Sequence, residues 1–104
     1  MTTGEAVHKL TADIADFFSL DAGTLAPGRR ADAVIIDPEG LDDRVDEHHE
    51  ADMPGFDGIV RMVKRNDDAV RAVIVNGRVA WQDNAVVAGF GTEPGFGEVL
   101  RRTA

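Results

Sequence analysis

Asp46-Glu47-His48-His49-Glu50 is the densest run of metal-ligating side chains in this 104-residue sequence. Imidazole and carboxylate together suit zinc, nickel or copper. The spacing argues against one shared ion. Adjacent histidines point to opposite faces of a strand and diverge by roughly 100° on a helix. The convergent His-x-x-x-His spacing does not occur. The run reads first as a solvated acidic loop, with Glu47, His48, His49 and Glu50 as the one set to test as a small metal site. His8 lies on the polar side of an expected helix and reads as exposed. Ser19 is the sole serine and has no nucleophile-elbow context. No pair of acids has a spacing that fixes a general acid/base couple. Gly89, Gly91, Gly95 and Gly97 do not form a phosphate-binding loop, and no lysine follows them. Arg29 and Arg30 could meet an anion, but they read more simply as a turn that balances nearby acid. No catalytic, cofactor-binding or metal-binding residue is assigned.

Composition narrows the frame. The length allows one domain, 1–104, that buries about two-thirds of its unfolded surface. An apolar content of 43% fits a globular chain. With no cysteine, disulfides and thiolate metal sites are excluded. The N-terminus has no signal-peptide pattern, and no apolar run reaches the roughly 18 residues of a membrane span. The expected location is cytoplasmic. The net charge of −8 opposes nucleic-acid binding. That charge is concentrated: residues 37–57 hold nine acids and one base, Arg44, while the remaining acids and bases balance at ten each.

The elements that must position these groups follow from pattern. Val7, Leu10, Ile14 and Phe17 recur at helical spacing, and Phe18 widens the stripe, which predicts a helix over 2–18. Thr2 and Glu5 form a capping-box pattern. Gly23 is placed to turn the chain after the helix. Pro27-Gly28 predicts a type II turn. Ala33-Val34-Ile35-Ile36 predicts a strand over 32–37, ended by Asp37-Pro38. Residues 38–57 show no clean period and read as a long acidic loop. Alternation predicts a strand over 59–65. Asn76-Gly77 predicts a tight hairpin between strands 70–75 and 78–82, because a type I′ turn needs positive φ at both positions. The register pairs Val75 with Arg78, Ile74 with Val79 and Ala72 with Trp81. One hairpin face is then apolar (Val70, Ala72, Ile74, Val79, Trp81), with Trp81 as its anchor. The N-terminal helix is its expected lid. A glycine-rich tail occupies 89–104.

Leu20 to Asp37 contains Gly23-x-Leu25-x-Pro27-Gly28-x-x-Ala31-Asp32, then an apolar strand ending in Asp. It resembles the segment after the last barrel helix of metal-dependent amidohydrolases. Leu10-Thr11, Ala15 and Phe18 resemble that helix. Pro54-Gly55, Ile59 to Val63 and Val73 to Val79 follow in register. Gly91-Thr92-Glu93-Pro94-Gly95 through Val99-Leu100-Arg101 resembles the closing motif of the N-acyl-D-amino-acid deacylase (D-aminoacylase) branch. Phe96-Gly97-Glu98 stands where that branch usually has an arginine, and Asn66-Asp67-Asp68 replaces a more neutral turn. The resemblance implies the C-terminal part of a composite β-sandwich beside a catalytic barrel. It also implies zinc or another divalent metal in the parent enzyme. The family's His-x-His is missing, and no residue here aligns with a ligand.

The expected fold is therefore mostly β with one N-terminal helix (α+β). The expected role is a non-catalytic segment of a hydrolase acting on amide C–N bonds, inactive alone. Its partners would be the missing barrel and N-terminal strands, or a second copy in a homodimer; neither nucleic acid nor membrane is expected. The alternative is a stand-alone interaction module that docks a partner through an open sheet edge and the acidic loop.

Overall fold

The computed structural model describes residues 1–53, 55–63 and 68–103. Pro54, the Lys64-Arg65 end of the expected 59–65 strand and the Asn66-Asp67 turn lie outside the described residues. The elements are α1 (Thr3–Leu10), α2 (Ala12–Phe18), β1 (Ala33–Ile36), β2 (His49–Asp52), β3 (Val60–Val63), β4 (Val70–Val75), β5 (Arg78–Gln82) and β6 (Ala85–Val86). Short 3-10 turns span Pro38–Gly40 and Asp43–Asp46. The fold is α+β and mostly strand. One sheet has the order β1-β4-β5-β6, and β2 and β3 form a separate two-stranded ribbon. Two compact units result: Met1–Val34 with Ala72–Ala104, and Ile35–Arg71.

In the first unit the helix starts as its sequence dictates. The Thr2 hydroxyl accepts from the Glu5 amide at 3.2 Å, and the Thr2 amide donates to the Glu5 carboxylate at 2.6 Å. Two of the helix's orphan donors are thereby satisfied. The single helix expected over 2–18 breaks at Thr11, where φ is −122° and ψ is −81°. The Thr11 hydroxyl donates back to the Val7 carbonyl at 2.7 Å. Such back-bonding competes with the backbone ladder and bends helices. α2 ends on Ser19 in the left-handed region. The Ser19 carbonyl then accepts from both the amide and the hydroxyl of Thr103, at 2.7 and 2.9 Å. Gly28, with φ +80°, completes a turn closed by the Arg29 amide on the Ala26 carbonyl.

The hairpin at Asn76-Gly77 forms with positive φ at both positions. Val75 pairs with Arg78 and Ile74 with Val79, as the two-residue turn requires. Beyond that point the expected register is corrected. A bulge shifts the ladder, so Val73, not Ala72, faces Trp81, and Ala72 faces Gln82. The extra residue is Ala80, and a bulge flips the faces that follow it. Ala72 and Ala80 are consequently the buried residues, Trp81 is half-buried, and Val79 is exposed. A second tight turn at Asp83-Asn84, both with positive φ, leads into β6, which the sequence reading missed.

The helix as a lid is a further correction. The apolar residues of the expected stripe are divided between α1 and α2 and stay uncovered: Val7, Leu10, Ile14, Phe17 and Phe18 are between 45% and 81% exposed. Among the described residues the buried hydrophobic side chains are Ala15, Ala69, Ala72 and Ala80. Scattered exposed leucines are ordinary, but five large apolar residues left bare on two consecutive helices are not.

In the second unit, residues 38–57 are more ordered than the expected loop. Asp37 and Asp42 each cap a 3-10 turn, accepting from the amides of Glu39 and Arg44 at 3.0 Å. Gly40 sits where a Cβ would come within 2.6 Å of the Ala69 amide nitrogen. β2 pairs antiparallel with β3, with His49 opposite Val63, Glu50 opposite Met62, Ala51 opposite Arg61 and Asp52 opposite Val60. Its polar composition concealed β2, because strand patterns are read from β-branched and aromatic residues.

Candidate functional site

The histidine-rich run leads into β2, which begins at His49, and alternation there separates His49 from Glu50. His48 Nε2 lies 3.3 Å from Glu50 Oε1, and His49 Nε2 lies 3.3 Å from Glu47 Oε2. These are two separate, solvent-exposed pairs. Among the described residues, no group of three or more His, Cys, Asp or Glu side chains is gathered to hold a metal ion. The sequence-proposed set Glu47, His48, His49 and Glu50 is therefore not brought together around one point. His8 is exposed and pairs with Asp13 across the helix break, Nδ1 to Oδ1 at 2.9 Å.

Arg29, Arg30 and Arg78 are matched rather than poised for an incoming anion. Arg29 pairs with Asp21 at 3.2 Å. Arg30, only 14% exposed, reaches Glu98 at 2.8 Å and donates to the Asp21 carbonyl at 3.2 Å. Arg78 lies over the Phe96 ring, 3.9 Å from its centroid, and donates to the Pro94 carbonyl and the Glu93 carboxylate. Cation–π and hydrogen-bond contacts thus tie the glycine-rich tail to the Asn76-Gly77 hairpin. Sequence reading missed this clamp; its signal was an arginine directly after the hairpin turn with a Phe-flanked glycine loop downstream. Asp32 also escaped notice, though its carboxylate accepts the Asn76 amide at 2.7 Å and braces that turn.

In the second unit, Arg44 joins Asp42 to Asp68, with Nη1 to Asp68 Oδ2 at 2.8 Å. Arg71 donates to Asp37 Oδ2 through Nε, at 3.2 Å, and through Nη2. The Asp37 amide meanwhile donates to the Ala69 carbonyl at 2.7 Å. The two ends of this unit are thus held side by side. The Arg71 hydrogen bonds, followed by the Glu39 amide, hold the Asp37 carboxyl below its ordinary value of 3.8. Arg44 does the same for Asp42, through its side chain first and its amide second. A carboxyl depressed in the folded state contributes stability above its ordinary value, and that contribution is lost as pH falls through the depressed one. In a carboxyl-detected NMR titration, Asp37 is expected to titrate below 3.8, and Arg71→Gln is expected to raise its midpoint. A midpoint indifferent to Arg71→Gln would refute the pairing.

Asp37, Asp42, Arg44, Asp68 and Arg71 are structural links, since each ion is answered by another within the unit. No helix among the described residues is long and apolar enough to cross a membrane.

Comparison with known proteins extends this picture. An uncharacterized protein of Mycobacterium bovis and two of Mycobacterium tuberculosis are each 47% identical over 77 residues. The matched stretch is 74% of this chain but only 13% of each relative's length. No solved structure matches the chain. The pattern of the amidohydrolase family matches residues 1–80. That span includes both helices, the Gly23 to Asp37 motif and the Asn76-Gly77 hairpin, and by it the chain belongs to the amidohydrolase family.

Proposed function

We propose that this chain is a non-catalytic C-terminal segment of an amidohydrolase, forming part of the composite β-sandwich beside the barrel. The parent enzyme would cleave amide C–N bonds, with N-acyl-D-amino acids as its substrates, in the cytoplasm. The observation that carries the proposal is that Val7, Leu10, Ile14, Phe17 and Phe18 of the two helices are uncovered, while the buried apolar side chains described in their unit are alanines. A helix with a bare apolar face gains its stability by packing on something. Among the described residues that packing is not made. A barrel and further strands supplied by a longer polypeptide would make it. The short share of the relatives' length spanned by the match supports the same reading. The order of the Gly23 to Asp37 motif and the Gly91 to Arg101 closing motif supports the deacylase branch.

Zinc or another divalent metal is expected in the parent family. The donors described here do not fit it, because they are paired two by two and exposed. No chemical step is assigned to this chain. Its own contribution is positional: a capped first helix, a braced hairpin and a clamped tail.

Two measurements test the proposal. The purified 104-residue chain is expected to leave N-acetyl-D-amino acids intact. A longer polypeptide carrying this segment after a His-x-His barrel sequence is expected to hydrolyse them, with activity lost to a chelator and restored by zinc. Chelator-sensitive deacylation by the short chain alone would overturn the non-catalytic role. A monodisperse dimer whose interface is the helix stripe would replace the barrel by a second copy as the covering partner.

A further inference from the structure

We propose that the outer face of the β2–β3 ribbon docks a segment of another polypeptide presenting apolar side chains bordered by lysine or arginine. The pairing register places Glu50 beside Met62 and Asp52 beside Val60. Alternation puts these four residues on one face, and His49, Ala51, Arg61 and Val63 on the other. The second face contains the half-buried residues His49, Ala51 and Val63. The first looks into solvent, with Val60 53% and Met62 63% exposed. Phe56 and Ile59, in the segment that joins the two strands, are exposed as well.

A ribbon face turned to water ordinarily carries polar side chains on both strands. Here β3 presents Val60 and Met62 outward, and β2 lays a carboxylate beside each. An exposed apolar patch with a charged border is the signature of an interaction surface, and methionine is suited to adaptable contacts.

The charge selects the occupant. Residues 37–57 carry a net −8, and the rest of the chain is neutral. Docking onto this face is favoured for a cationic border and opposed for an acidic one. A second copy is the wrong partner, because a two-fold contact would bring two acidic faces together. Among the described residues, no arginine of the unit answers that charge. Arg44 and Arg71 are matched to Asp42, Asp68 and Asp37, and Arg61 belongs to the opposite face. His48 does approach Glu50, at 3.3 Å, but both side chains are about two-thirds exposed. Such a pair is well screened and contributes little.

The experiment uses the full chain and two short synthetic peptides, one alternating lysine with leucine and one alternating glutamate with leucine. Backbone amide shifts of β2 and β3 report binding and, at the same time, the integrity of the ribbon. The lysine peptide is expected to bind saturably and to shift Glu50, Asp52, Val60 and Met62 most. Affinity is expected to fall about tenfold or more in Val60→Ser/Met62→Ser, since each loses apolar contact. A similar loss is expected in Glu50→Gln/Asp52→Asn and in about 1 M salt, where screening acts over only ~3 Å. Glu50→Lys/Asp52→Lys leaves the apolar residues in place and is expected to reverse the preference toward the glutamate peptide. The proposal is overturned if the glutamate peptide binds the native chain equally well. It is also overturned if the serine variant binds as tightly as the native chain, which would reduce the effect to charge alone. A concentration-dependent dimer that perturbs the same four amides would assign the face to a second copy and equally end the proposal.

Discussion

Gly23→Ala is expected to destabilise the chain by about 2–4 kcal/mol, because two costs fall on one Cβ. The first is conformational: φ at Gly23 is +78°, a region that carries a penalty for any residue with a side chain. The second is steric. A Cβ there would lie 2.7 Å from the Thr11 carbonyl oxygen and 2.8 Å from its carbon. Those atoms are backbone, and Thr11 is the residue at which α1 gives way to α2. Relief requires moving the helix break, not rotating a side chain. Gly28 separates the two costs. Its φ is +80°, yet nothing lies within 4 Å of the site of its Cβ. Gly28→Ala should therefore show only the conformational penalty, about 1 kcal/mol. Urea melts of both variants against the native chain make the comparison. Equal losses at the two glycines would show that the contact between Gly23 and Thr11 is not a close one.

Phe17→Ala should have two different effects, depending on the polypeptide that contains it. In the 104-residue chain Phe17 is 81% exposed. Its truncation removes little buried surface and is expected to change stability by less than about 0.5 kcal/mol, as for other surface positions. Within a longer polypeptide that covers the stripe, the same truncation opens a cavity in a packed interface and is expected to cost about 3–5 kcal/mol. Dye binding by ANS gives an independent readout. The short chain should bind it strongly, and Leu10→Ser with Phe17→Ser should weaken that binding while barely moving the melt. If Phe17→Ala costs the short chain several kcal/mol, the stripe is already packed in solution, and the proposed scaffold role loses its main support.

Local elements were legible because their causes are local. Thr2 and Glu5 announce a helix start, and Asn76-Gly77 announces a turn, through hydrogen bonds and φ values that depend on a few residues. Non-local features were not legible. The break at Thr11 depends on a hydroxyl choosing the Val7 carbonyl. The bulge at Ala80 changes no residue type, yet it exchanges Val79 for Ala80 on the buried side. β2 is spelled in His, Glu, Ala and Asp, and only pairing with Val60–Val63 makes it a strand. The lid was misread for another reason: an apolar stripe says that a face must be covered, but not which chain covers it. At the candidate site, the divergence of His48 and His49 followed from adjacency alone. The clamps at Arg78 and Arg71 required tertiary contacts between residues 15 and 34 positions apart in sequence.

The alanine interior makes this segment's tolerance to change asymmetric. Shrinking a buried side chain is the usual way a substitution damages a protein, but Ala15, Ala69, Ala72 and Ala80 have almost nothing to give up. At these four positions harm is expected from growth instead, since methylenes added to a filled site force its neighbours to shift. Its larger apolar residues are free to vary only as far as whatever surface they meet elsewhere allows.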